Sequence, residues 1–124
     1  MNDLTTVVDA WLEAYAEADV ERRMKLIEQA WSPDGRLVDP PLEGKGYAGL
    51  SDAADLVNTH YAGHKFRRVT GIDVHHEFVR YGWELVGPDG AVAVAGIDVA
   101  EIDDAGRLRK VTGFFGDLPA IDAA

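Results

Sequence analysis

Residues 90–116 place the tightest constraint on how this chain can fold. Their sequence predicts a long β-hairpin with two apolar strands, at residues 91–102 and 108–115. Between the strands, residues 103–106 (DDAG) supply the Asp and Gly side chains that are typical of a tight turn. Because both strands are apolar, we expect the rest of the chain to be arranged around this hairpin.

Asp98 is the unusual residue of this hairpin. Alternate side chains of a strand share one face, which places Asp98 in an apolar row with Val94, Gly96 and Ala100. An ionised carboxylate that is buried without a partner is so costly that it usually takes up a proton or finds a partner. A protonated Asp98 would donate a hydrogen bond at neutral pH. Two alternatives stay open: Asp98 is hydrated near a strand end, or it is paired with a Lys or Arg side chain.

Length and composition limit the classes of protein to consider. We expect a single domain over residues 1–124, with a core that needs no disulfides, since the chain has no cysteine. The first twenty residues are neither a signal peptide nor a membrane span, so we expect a soluble, cytoplasmic protein that contacts no membrane. The net charge of −10 argues against nucleic acid as a partner. The short basic clusters at residues 22–23 and 67–68 are interpreted as solvated faces.

The first half of the chain predicts three helices. The first begins at Asn2 or Asp3 and the second at Asp19, because these side chains can cap a helix. A third helix fits residues 47–61. The apolar stripes of the first two helices contain Leu4, Val7, Val8, Trp11, Leu12 and Tyr15, followed by Val20, Met24, Ile27 and Trp31.

A short strand is expected between the second and third helices. Residues 32–35 (SPDG) predict a turn, and residues 36–39 predict a strand that ends at two prolines. Since a proline favours an extended residue before it, Asp39 is expected at the end of this strand, where the chain turns away. Residues 42–46 contain two glycines and are expected to form a loop.

The second half predicts a meander of four strands, at residues 65–75, 78–86, 91–102 and 108–115. Helices gathered on one face of such a sheet make an α+β fold. Some strands are apolar on both faces, so the face turned away from the helices also needs cover. A second copy of the same sheet is the simplest cover, and we therefore expect a homodimer through the sheet.

This order of elements resembles the cone of the nuclear-transport-factor-2-like superfamily. That fold includes ketosteroid isomerase, scytalone dehydratase, limonene epoxide hydrolase and the SnoaL-like polyketide cyclases. Residues 36–40 (RLVDP) look like the strand-Asp-Pro segment that carries the general base of ketosteroid isomerase. Asp98, followed by residues 105–106 and 114–116, resembles the last hairpin of that enzyme, where the Asp is a protonated donor to an oxyanion.

The resemblance implies a fold and a site. The fold is three N-terminal helices packed on a curved, mainly antiparallel sheet around a conical pocket. Asp39 would stand at the pocket rim as the base and Asp98 inside as a neutral acid, a pairing known from ketosteroid isomerase and carried over here. In that enzyme a tyrosine of the first helix is the second oxyanion donor. Matching the helices places Trp11 at that position, with Tyr15 one turn further on the same face.

Other side chains complete the predicted site. An Asp39, Arg80 and Asp98 set could imitate the water-positioning residues of the epoxide hydrolases, although Arg80 and Trp83 have opposite parity on their strand. His75 and His76 are adjacent at a presumed turn, so we expect them to point opposite ways and to chelate no metal. No cofactor is expected. The expected aromatic lining is Trp11, Tyr15, Trp31, Tyr61, Trp83 and Phe114.

We therefore expect a small-molecule enzyme that uses proton transfer in an apolar pocket. It would act as an isomerase or a cyclase on a hydrophobic carbonyl compound, with Asp39, Asp98 and Tyr15 as the catalytic residues. The alternatives are a ligand- or protein-binding member of the same fold without catalysis, and an epoxide hydrolase or dehydratase.

Overall fold

The computed structural model describes residues 3–123 as three α-helices, seven strands and a short 3₁₀ helix. The helices are α1 (Leu4–Ala14), α2 (Val20–Ala30) and α3 (Gly46–His60). The strands are β1 (Trp31–Val38), β2 (Glu43–Lys45), β3 (Lys65–Arg68), β4 (Asp73–His75), β5 (Phe78–Val86), β6 (Val92–Ile102) and β7 (Leu108–Phe115), and the 3₁₀ helix is Ile121–Ala123.

Side-chain caps fix where the first two helices begin. Asp3 accepts a hydrogen bond from the Thr5 backbone N–H at 2.9 Å, and Asp19 accepts from Glu21 N–H at 2.9 Å. Each such cap contributes about 1 kcal/mol to helix stability. Asp3 and Asp19 were both predicted as caps, while Asn2, the alternative for α1, lies outside the described residues.

The strands form one curved, unclosed sheet in the order β2-β1-β7-β6-β5-β3, with β4 also paired to β5. Every pairing is antiparallel except that of β1 with β7, which is parallel. The core lies between α1, α2 and α3 and one face of this sheet. The α+β cone predicted from the sequence is confirmed.

The first strand is longer than predicted. β1 includes residues 32–35, which were expected to form a turn. Trp31 pairs with Leu108 and Arg36 with Lys110, so these residues bulge out of the parallel ladder. A Cβ on Gly35 would lie 2.3 Å from the Trp31 ring, which therefore packs directly over the glycine. Residues 32–35 form a bulge rather than a turn because the residues on either side of them, Trp31 and Arg36, both pair with β7.

Two further strands differ from the sequence expectation. β2 pairs with β1 where a loop was predicted, with Leu37 opposite Gly44. The predicted strand 65–75 is divided into β3 and β4, which both pair with β5. At the break, the Thr70 hydroxyl accepts a hydrogen bond from the Gly82 backbone N–H at 2.8 Å. A side chain thus replaces the backbone ladder at this point, which interrupts the strand.

The buried face of α2 also differs from the predicted stripe. Val20 is exposed, whereas Arg23 is only 2% exposed, so the interpretation of the basic cluster at 22–23 as a solvated face was wrong for Arg23. Its guanidinium donates to the Glu17 carbonyl at 2.9 Å, to the Ser51 carbonyl at 3.3 Å and to Asp55 at 3.2 Å. Burial of Arg23 is tolerated because these acceptors satisfy the N–H donors of its guanidinium. The same hydrogen bonds connect α2 to its neighbours.

The two faces of β6 have opposite surroundings. Asp98 and Ala100 are buried on the inner face, which looks toward the helices. Ile97 and Val99 are 50% and 41% exposed on the outer face. The expected alternation along this strand is confirmed, and it positions Asp98 in the core. Within residues 3–123, no helix has the length and apolar character that a membrane crossing requires.

Candidate active site

Asp98 lies in the middle of β6 with 5% of its surface exposed, and both of its oxygens are hydrogen-bonded. The Tyr81 hydroxyl donates to Oδ2 at 2.9 Å, and Trp83 Nε1–H donates to Oδ1 at 3.0 Å. Neither alternative for Asp98 holds: it is not at a hydrated strand end, and its partners among the described residues are neutral donors.

The register between β5 and β6 explains these two contacts. Tyr81 lies directly opposite Asp98, and Trp83 lies opposite Gly96, two residues away on the same face. A Cβ on Gly96 would lie 2.6 Å from the Trp83 ring. The glycine therefore leaves the space that lets the indole cross the strand and reach Asp98.

Asp39 follows directly after the last residue of β1 and approaches the same point from the other side of β7. Its Oδ1 is buried and has no hydrogen-bond partner. A Cβ on Gly113 would lie 2.1 Å from Asp39 Oδ1 and 3.1 Å from Asp98 Oδ1. The two carboxyl groups thus converge over Gly113, and they can do so because that residue has no side chain.

Both acids ionise less readily than free aspartate. Burial, followed by the negative charge of Asp39, raises the pKa of Asp98 to about 7, against the opposing effect of its Tyr81 and Trp83 donors. Burial raises the pKa of Asp39 to about 6, partly opposed by the Gly113 backbone amide. Because the two groups influence each other, they titrate as a pair, and both can exchange protons near neutral pH.

Tyr15, the residue that follows α1, supplies a phenol to the same cluster. The residue is 6% exposed, and burial together with the charges of Asp39 and Asp98 raises the pKa of its hydroxyl well above the usual value. Tyr15 therefore remains a neutral hydrogen-bond donor. Trp11 is fully buried behind it, with the two ring centres 4.4 Å apart.

The other predicted aromatic residues have different positions. Trp31 is fully buried and packs edge-on against Trp11, at 5.2 Å between ring centres, which makes it part of the core. Phe66 was not predicted as a site residue, yet its ring packs against Tyr15 at 4.5 Å and against Trp83 at 5.1 Å. Phe66 therefore belongs to the aromatic wall around the acids.

Three predicted binding residues lie away from the acid pair. Tyr61 is 39% exposed and follows the end of α3. Arg80 is on the outer face of the sheet, where its Nε donates to Asp73 at 2.8 Å. Phe114 is 61% exposed on the outer face, opposite Ile97. The Asp39, Arg80 and Asp98 set therefore does not form, and Arg80 and Phe114 are withdrawn from the candidate site.

The adjacent histidines do not point opposite ways as expected. His75 Nδ1 and His76 Nδ1 are 3.1 Å apart, because His76 has a positive φ of 53° that turns the backbone. Within residues 3–123, no three His, Asp or Glu side chains are grouped as a metal site would require.

Sequence reasoning did not find Tyr81 or Gly113. A partial signal existed for Tyr81, since it has the same strand parity as Trp83. The β5–β6 register shifts by one residue between Leu85 and Val86, however, so a count back from the turn does not place Tyr81 opposite Asp98. Gly113 lies opposite Asp98 only because the β6–β7 register shifts in the same way between Glu101 and Ile102, which a count from the turn does not predict. Its approach to Asp39 depends on the parallel β1–β7 pairing, for which the sequence has no local signal.

Similar proteins extend these observations. No family profile and no curated protein matches the chain. A solved SnoaL-like family protein from Agrobacterium tumefaciens, named as a candidate isomerase, is 33% identical with a TM-score of 0.84, over 94% of this chain and 100% of that one.

More distant structures share the fold. A candidate SnoaL-like polyketide cyclase from Jannaschia is 14% identical with a TM-score of 0.66, over 90% of this chain and 85% of that one. A protein of ketosteroid-isomerase-like fold from Catenulispora acidiphila, solved in complex with trimethylamine, is 12% identical with a TM-score of 0.71, over 89% of this chain and 85% of that one. With its cone, its acid pair and the 33% identity to the Agrobacterium protein, this chain belongs to the SnoaL-like family.

Proposed function

We propose that this protein is a small-molecule enzyme that moves a proton on a hydrophobic carbonyl compound, in the manner of an isomerase or a cyclase. One observation carries the proposal. Two carboxyl groups with raised pKa converge over Gly113 beside the Tyr15 phenol, and neither is in an ion pair among the described residues.

The two acids have complementary roles in this proposal. Asp39 is ionised at neutral pH, and its unpaired Oδ1 takes a proton from the carbon next to the substrate carbonyl. Asp98, in its protonated form, and Tyr15 donate hydrogen bonds to the oxygen where negative charge develops. The protonated Asp39 then returns the proton to another carbon, which completes an isomerisation.

The experiment is isomerisation of a β,γ-unsaturated steroid ketone, followed by the ultraviolet absorbance of the conjugated product. Asp39→Asn removes the base and is expected to lower kcat by about 10²- to 10⁴-fold. Asp73→Asn is the matched control, because it makes the same change on the outer face, where Asp73 pairs with Arg80. An unchanged rate in Asp39→Asn would remove Asp39 from the mechanism, and no turnover by the parent would discard the steroid as substrate.

A second candidate is a ligand-binding or protein-binding protein without catalysis, since the same fold serves both purposes. It is favoured by the nearly complete enclosure of Asp98 and Tyr81. A carbon-detected NMR titration of the Asp98 carboxyl separates the two candidates. A pKa near the ordinary value of about 4 favours the binding protein, whereas a value near neutrality favours proton transfer. Epoxide hydrolysis through Arg80 is not supported, because Arg80 faces away from the acids.

We also propose that two copies of the chain pair through the outer face of the sheet. Ile97, Val99 and Phe114 are exposed there on adjacent central strands, and this apolar surface is suited to a second identical surface. Phe114→Glu is expected to convert the dimer to a monomer in sedimentation velocity. Leu118→Glu is the control, because Leu118 is exposed outside the sheet. A parent that sediments as a monomer would contradict the proposal.

A further inference from the structure

The acid cluster is enclosed, so a ligand can reach it only if part of the surrounding wall moves. Asp98, Tyr15 and Tyr81 are 5%, 6% and 2% exposed. The strands β5, β6 and β7 are each paired on both sides, which holds their part of the wall in place. The part of the wall that can move most easily is therefore at an edge of the sheet.

Phe66 is a part of the wall that lies at such an edge. It belongs to β3, a strand of four residues that comes last in the sheet order and, among the described residues, pairs with β5 alone. The Phe66 ring is only partly buried, and it packs against Tyr15 and against Trp83, the donor to Asp98. This one ring therefore lies between the hydrogen-bond network of Asp98 and the far side of the wall.

A groove of about 430 Å³ lies on the far side of Phe66, between α1 and β3. Its apolar lining is Leu12, Ala16 and Phe66, and charged side chains from both elements form its rims. The groove is large enough for a small organic molecule. Because Phe66 belongs both to the groove and to the wall, displacement of its ring would join the groove to the acid cluster.

An ion pair across this groove holds β3 against α1. Arg68 Nε donates to Asp9 Oδ1 at 3.0 Å, and Arg68 Nη2 donates to Asp9 Oδ2 at 3.3 Å. The side chains of Arg68 and Asp9 are 21% and 48% exposed. An ion pair that is open to water in this way is weak and is screened by salt, so it can break while the rest of the sheet stays folded.

We propose that the groove between α1 and β3 is the entrance to the acid pair. Phe66 is the side chain that moves aside, and the Arg68–Asp9 ion pair is the strap that keeps the entrance closed. That the molecule admitted is a substrate rests on the proposed function, whereas the opening itself can be measured without any turnover.

Exchange of the Trp83 indole N–H with D₂O measures this opening, because that proton is bonded to Asp98 inside the cluster. NMR resolves the indole protons, and Trp83→Phe assigns the signal. At low salt, Asp9→Asn weakens the strap and is expected to speed exchange at Trp83 about 2- to 5-fold. Phe66→Leu, which removes the ring, should also speed it. Exchange at the fully buried Trp31 should stay unchanged in both variants, since it reports opening of the whole fold.

Glu84→Gln is the matched control for Asp9→Asn. It removes the carboxylate that pairs with the neighbouring Arg67 at 2.7 Å, but that pair connects β3 to β5 rather than to α1. Exchange at Trp83 should therefore stay at the parent rate in Glu84→Gln.

A second experiment locates the entrance, and it makes use of a chain that has no cysteine. Ala16→Cys places a single thiol in the groove. A bulky maleimide attached to that thiol should slow exchange at Trp83 below the rate of the unlabelled variant. Leu56→Cys is the control, because Leu56 is 50% exposed and lines a different groove, at the end of α3. The same label there should have no effect.

Each part of the inference has a result that would overturn it. The strap is contradicted if Asp9→Asn leaves exchange at Trp83 unchanged or speeds exchange at Trp31 equally, and the role of Phe66 is contradicted if Phe66→Leu does either. The entrance is contradicted if the label at Ala16 has no effect, and an effect of the label at Leu56 would place it at the end of α3. An unchanged rate of turnover in Asp39→Asn would instead contradict the proposed function and leave these exchange results intact.

Discussion

Asp98 and Asp39 meet at one point of the molecule but are held in different ways. Asp98 is in the middle of a central strand, and Tyr81 and Trp83 occupy both of its oxygens. Asp39 comes after the end of β1, and its buried Oδ1 has no partner. The first carboxyl is fixed in orientation by its neighbours, whereas the second has an oxygen free for a ligand.

The difference shows how one site can keep two similar acids in different roles. Each neutral donor to Asp98 favours its ionised form, yet deeper burial and the charge of Asp39 still raise its pKa above that of Asp39. The acid with the higher pKa suits the role of donor, and the one with the lower pKa suits that of base. Substitutions that change the space around the two carboxyl groups, their charge or their hydrogen-bond donors therefore test this difference between Asp98 and Asp39.

Gly113→Ala should have the largest effect, because the new Cβ would lie 2.1 Å from Asp39 Oδ1. The Asp39 carboxyl must move away, which we expect to lower kcat by about 100-fold. Crowding at this packed position should also lower the free energy of unfolding by about 1–3 kcal/mol. Activity assays and urea denaturation measure the two effects.

Gly71→Ala is the matched control, since a Cβ at Gly71 would meet no atom within 4 Å. It should leave both activity and stability close to the parent values. If Gly113→Ala behaved like Gly71→Ala, the close approach of Asp39 to β7 would be contradicted.

The pH dependence of stability should reveal the cost of ionising Asp39. Its pKa rises from 3.8 to about 6 on folding, so between these values the folded chain binds more protons than the unfolded chain. Its contribution to stability is therefore present at acidic pH and is lost as pH rises through about 6. Asp39→Asn lacks this loss. Relative to the parent, its free energy of unfolding should therefore rise by roughly 2 kcal/mol between about pH 4 and pH 7.

Urea denaturation of both proteins across this pH range gives the difference directly. Asp73→Asn again serves as the control for removing an exposed carboxylate. A difference between Asp39→Asn and parent that does not change with pH would show that Asp39 titrates normally in the folded protein.

Tyr81→Phe should have a smaller effect, confined to Asp98. Removing a donor to the ionised carboxylate is expected to raise the Asp98 pKa by roughly one unit and to leave that of Asp39 nearly unchanged. Carbon-detected NMR of the two carboxyl groups measures both values. An equal shift at Asp39 would indicate a rearranged site rather than the loss of one hydrogen bond.

Much of this protein follows from local sequence. The caps at Asp3 and Asp19 and the strands Phe78–Val86 and Leu108–Phe115 were predicted and are confirmed, because each depends on residues close together in the chain. Strand alternation also placed Asp98 on the buried face. These features need only the backbone geometry of a helix cap or an extended strand.

Only the tertiary structure decided how the site is assembled. The pairing of β1 with β7 is parallel and joins distant segments, so it has no hairpin turn from which its register can be counted. That pairing turned residues 32–35 into a bulge and brought Asp39 to Gly113. The burial of Arg23 likewise depends on acceptors from α3. The sequence determined which acid would be buried, and long-range packing decided what it would meet there.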